Sequence, residues 1–75
     1  MAMKLTESIT IAVRAEVRRQ GKSQRWIGEQ IGMSQPQVWE RMNGIVEWRN
    51  SELEKLAKAL QVPVTTFLPA GEVAA

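Results

Sequence analysis

Seventy-five residues make one domain with room for only a small core. With no cysteine and no histidine, the chain lacks disulfides, thiolate metal sites and the commonest general base, which argues against an enzyme, a metal site or a cofactor. The formal charge is only +2, yet it is uneven: Arg14, Arg18, Arg19, Lys22 and Arg25 share one stretch with a single acid, Glu16, whereas Glu47, Glu52, Glu54 and Glu72 come later. A domain with that polarity can turn one face to phosphates. No apolar run reaches membrane-spanning length. Met1-Ala2-Met3-Lys4 lacks the apolar core of a secretory signal, so the cytoplasm is the expected compartment.

The first predicted helix covers about residues 6–20. Thr6 or Ser8 starts it, and Ile9, Ala12, Val13 and Val17 form its apolar stripe. Gly21 stops it. Ser23 caps a second helix over 24–31, with Ile27 and Ile31 four apart and Gly32 at the end. Ser34 caps a third over 35–42, Pro36 suits its first turn, Val38 and Met42 repeat the spacing, and Asn43-Gly44 closes it. Residues 44–50 have no period and read as a loop. Ser51 and Glu54 have capping-box spacing, which predicts a fourth helix over 51–60. Pro63 opens a short fifth helix over 63–68, and 69–75 is an irregular tail. No strand alternation occurs, so the expected class is all-α. The predicted core is Ile9, Val13, Val17, Ile27, Ile31, Met33, Val38, Met42, Leu53, Leu56, Leu60, Val62 and Phe67.

Cap, stripe, glycine, cap, stripe, glycine over residues 23–44 is the sequence form of a helix-turn-helix. Gln24, Gly32, Ser34-Gln35 and Asn43-Gly44 carry a resemblance to the λ-type repressor and Cro family. Leu53, Leu56, Ala57 and Leu60, then Val62 to Leu68, resemble that family's fourth and fifth helices, so the likeness spans roughly residues 9–68. It implies a compact five-helix domain that binds a double-stranded DNA operator, most like a phage Cro or small immunity repressor. It also implies base readout at the positions of Gln35, Pro36 and Glu40, and phosphate contacts at Gln24 and Asn43. Pro36 and Glu40 differ from the family's usual residue types. Val17 and Met42 stand where many members pair a buried Arg with a Glu, and an apolar contact can replace such a pair. Arg41 stands where the family is often apolar, and is expected to snorkel to a phosphate or to Glu16.

Helical geometry adds detail. With Val38 inward and about 100° per residue, Pro36, Glu40 and Asn43 point outward, flanked by Gln37 and Trp39. Glutamine can pair with adenine and a carboxylate can accept from cytosine in the major groove. The candidate base contacts are therefore Gln35, Pro36, Gln37, Trp39 and Glu40. The candidate phosphate contacts are Gln24, Arg25, Ser34 and Asn43, with Arg14 and Arg49 at the rim. One such helix covers few base pairs, so a weak homodimer strengthened on DNA is expected. Val64, Phe67 and Leu68, with Trp48 nearby, are its candidate pairing residues, and Val73 adds to them. No small-molecule ligand is expected. Two other readings stay open: an antitoxin that binds a protein through a patch of Trp26, Trp48, Phe67 and Val73, and a helical interaction module without DNA binding.

Overall fold

Leu5–Gln20 form the first helix, α1. The computed structural model describes residues 4–68 of the chain, and the expected tail, including Val73, lies outside them. Lys4, not Thr6 or Ser8, is the N-terminal cap. Its carbonyl accepts the Ser8 N–H at 3.0 Å, which places both hydroxyl residues inside the first turn. No side chain caps this end. Gly21 closes the helix with φ 67°, the left-handed conformation that glycine reaches without a Cβ penalty.

Gln24–Ile31 form α2 and Gln35–Met42 form α3. The Ser23 hydroxyl accepts the Trp26 N–H at 3.0 Å, as its position predicts. Between α2 and α3 the backbone passes so close that a Cβ on Gly28 would lie 2.6 Å from the Met33 carbonyl oxygen. That approach, together with the Met33 N–H bonded to the Gly28 carbonyl at 2.9 Å, fixes the angle between the two helices.

The fourth helix, α4, is Asn50–Leu60, one residue earlier than the expected 51–60, with its cap two residues before Ser51. Arg49 occupies the cap, and the Glu52 carboxylate accepts its backbone N–H at 2.9 Å. This is half of a capping box, since Arg49 has no side-chain acceptor to complete it. The expected fifth helix is a single 3-10 turn, Val64–Phe67, with Pro63 ahead of it. Among the described residues there are four α-helices, this turn and no strand.

The stripes converge on one core: Val13, Val17, Ile27, Ile31, Val38, Met42, Leu53, Leu56, Ala57 and Leu60, with Phe67 plugging the gap. Phe67 has no exposed surface, and burying it contributes roughly 1.5–3 kcal/mol. Ile9, Met33 and Val62, expected in the core, are half-buried against it. Trp48 joins it from the loop and is also buried. Two expected pairing residues, Phe67 and Trp48, are thus spent inside their own chain, and of the described members of that set Val64 and Leu68 keep partial exposure. At the far end, the Gln20 amide donates to the Leu60 carbonyl at 2.9 Å and to Glu16 at 2.7 Å, tying α1 to α4.

Candidate nucleic-acid interface

The site is built around α3. Val38 has no exposed surface and faces the core, so Gln35, Pro36, Gln37, Trp39 and Asn43 are turned to solvent. Trp39 keeps 49% of its surface exposed, a large apolar group left in water. Glu40 is half-buried rather than fully outward. Its carbonyl accepts the Ile45 and Val46 N–H groups at 2.9 and 3.3 Å, which closes the helix over Gly44 at φ 74°.

Ser34 and Gln37 form a reciprocal capping box. The Gln37 N–H reaches the Ser34 hydroxyl at 3.4 Å, and the Gln37 side-chain oxygen accepts the Ser34 N–H at 3.0 Å. This box, Ser34-x-x-Gln37, has a recognised spacing and was legible in the sequence, although only the Ser34 half is predicted above. It bears on readout. Pairing with both edge groups of adenine needs the amide oxygen and the amide nitrogen together. In Gln37 the oxygen is occupied, while Gln35, two residues earlier, lies outside the box.

On one side of α3, a groove of about 440 Å³ runs between α1 and α3. Arg14, Gln24, Trp39 and Asn43 line it, which brings together three of the expected phosphate contacts and one base contact. Arg18 and Lys22 line it too. Both belong to the early basic stretch, and stepping round α1 from Arg14 would have placed Arg18 on the same face. Val17 and Met42 are buried and form the floor, in keeping with their expected meeting at this seam. No acid among the described residues pairs with Arg14, Arg18 or Lys22. The Lys22 ammonium lies 4.6 Å from the centre of the Trp26 ring, a cation–π contact that holds it beside the start of α2. The Asn43 amide donates one N–H to the Trp39 carbonyl at 2.9 Å, leaving its second for another acceptor.

Three other basic residues, Arg19, Arg25 and Arg41, are already engaged. Arg19 is bound to Glu16, and the Arg19 hydrogen bond, then that of Gln20, holds the Glu16 carboxyl below its ordinary range. Arg25 approaches Glu29 at 3.7 Å, with both side chains well exposed, so the pair opens at little cost. Arg41 reaches neither Glu16 nor solvent. Its guanidinium forks onto Glu52 at 3.0 and 3.2 Å and donates to the Gln37 carbonyl at 3.3 Å. The Arg41 and Glu52 side chains are only 10% and 13% exposed, and the pair joins α3 to the start of α4. For Glu52, burial pushes the pKa up. The Arg41 hydrogen bonds, the Arg49 N–H and both positive charges outweigh it and leave the carboxyl below its ordinary range. Arg49 lies on this side of α3, in a groove with Gln37, Arg41, Glu52 and Lys55, away from Arg14.

Among the described residues the patch expected for an antitoxin does not assemble: Trp48 and Phe67 are in the core and Trp26 is half-buried. The described residues hold no cluster of potential metal ligands, and no described helix is long and apolar enough to cross a membrane. Comparison with family models, with curated proteins and with solved structures found no match.

Proposed function

We propose that this chain is a sequence-specific, double-stranded DNA-binding regulator of the λ-type repressor and Cro kind, with α2 and α3 as its helix-turn-helix and α3 as the reader of the major groove. The observation that carries this reading is the grouping of Arg14, Arg18, Lys22, Gln24 and Asn43 in one groove along α3, beside an α3 surface that is polar or aromatic and solvent-facing. Unpaired cations with flanking amides suit phosphates, which set register. Exposed groups at the start of α3 suit base edges.

In this reading Gln35 is the principal base reader and Pro36 rests against a thymine methyl. Gln37 contributes only its free amide N–H groups, because its oxygen serves the cap. Trp39 lies along sugar or base, and Glu40 sits at the edge of the contact. Gln24, Ser34 and Asn43 hold phosphates, Arg25 does so by leaving Glu29, and Arg14 and Arg49 bracket α3 from opposite sides. The protein acts by occupying its operator as a two-fold pair and so blocking other proteins from it.

Selection of bound duplexes from a random pool tests this. A defined, two-fold symmetric site is expected. Gln35→Ala should then cost about 1–3 kcal/mol on that site and relax one base position. Binding with no preferred sequence would sink the proposal, and an equal Gln35→Ala loss on every duplex would move Gln35 to the phosphate set.

A further inference from the structure

The most exposed large apolar side chains lie away from Val64 and Leu68. Ile11 is 54% exposed and Ile45 61%. They border one groove of about 490 Å³ between the first half of α1 and the loop after α3. Thr10, which is buried, lines the same groove.

We propose that Ile11 and Ile45 form the centre of a weak, two-fold pairing surface for a second copy of this chain. The rim decides the occupant. Lys4, Glu7 and Glu47 surround the two isoleucines. Two carboxylates at the edge repel phosphates, so DNA is a poor fit. A two-fold contact sets the patch against itself, which lets Lys4 of each copy meet an acid of the other while the isoleucines pack at the axis. The patch is small beside the roughly 800 Å² per partner of a standard interface, so the pairing is weak. Asn43 borders both this groove and the cationic one, so a second copy seated here adjoins the proposed DNA face without covering it.

Pairing in solution does not depend on the DNA-binding reading; only its use on an operator does. The test therefore begins without DNA, by sedimentation equilibrium up to millimolar concentration. Wild type should show a reversible dimer. Ile45→Lys and Ile11→Lys, both at exposed positions, should weaken it by about tenfold or more with unchanged circular-dichroism melting, a difference of roughly 1.4 kcal/mol. The chain has no cysteine, so single substitutions report proximity directly. Ile45→Cys should oxidise to a disulfide-linked dimer and Leu68→Cys should not. A wild type that stays monomeric, an Ile45→Lys variant that pairs as wild type, or cross-linking through Leu68→Cys alone would overturn the proposal. If pairing fails in this way while the protein still selects a DNA sequence, the pairing surface is wrong and the DNA reading stands.

Discussion

The two flanks of α3 are both basic, and they use their charge in opposite ways. Along α1, the Arg14 and Arg18 guanidinium groups and the Lys22 ammonium have no acid within ion-pair reach among the described residues. Along α4, Arg41 is buried against Glu52, which also caps the helix through the Arg49 N–H. The first flank is left with charge to spend on a ligand. On the second, Arg41 has spent its charge on holding α3 in place, and Arg49 and Lys55, exposed and outside any ion pair among the described residues, keep theirs free. Counting cations does not separate these roles; the reach of the nearest acid does.

The largest effect should come from the latched flank. Glu52→Ala leaves a buried guanidinium unpaired and should destabilise the domain by about 3 kcal/mol in urea unfolding. Arg41→Leu with Glu52→Leu should recover most of that, because apolar replacement of a buried pair is often neutral. A Glu52→Ala loss below about 1 kcal/mol would mean the pair behaves like a surface one.

On the open flank the pattern should invert. Arg14→Ala with Lys22→Ala should leave stability within about 1 kcal/mol, since neither side chain is buried or ion-paired and the Lys22–Trp26 contact is an exposed one. The slope of log affinity for DNA against log salt should shrink by about two units. Arg19→Ala, removing a cation already held by Glu16, should leave the slope unchanged. Equal effects of Arg14 and Arg19 would break the comparison.

The cap sharpens the distinction within α3 itself. Gln37→Ala should cost about 1 kcal/mol of stability through the lost box. Gln35→Ala should cost nearly none and show its effect on DNA alone. A stability loss at Gln35 comparable to that at Gln37 would contradict this division.

The smallest effect is on pH. The folded Glu52 carboxyl sits below the ordinary value of 4.5. Its contribution to stability is therefore full above that value and is lost as the pH falls through the folded pKa. Glu52→Gln should make the loss of stability below the ordinary carboxylate range shallower, read by thermal melting across that range. An unchanged acid limb would show that Glu52 does not carry this dependence.

What was legible in the sequence was local. Ser23, Ser34, Gly21 and Gly32 mark helix ends because capping and left-handed geometry involve neighbours a few residues apart. The stripes give the core for the same reason. The start of α4 was misplaced because Ser51-x-x-Glu54 and Arg49-x-x-Glu52 offer competing frames. The choice falls to Glu52, which is already drawn to Arg41, eleven residues back. Trp48 lies in a segment without period, so no pattern marks its burial. Within the site, the α3 face followed from Val38 alone. The separation of Arg14 from Arg49 onto opposite flanks needed the packing of α1 and α4 against α3.

The most direct test of α3 as a DNA reader is an amide nuclear magnetic resonance titration with a duplex taken from the selected pool. Shifts should concentrate on residues 14–25 and 34–43, with the second half of α4 and the Val64–Phe67 turn nearly silent. Shifts centred instead on α4 and that turn, with α3 unmoved, would contradict the account.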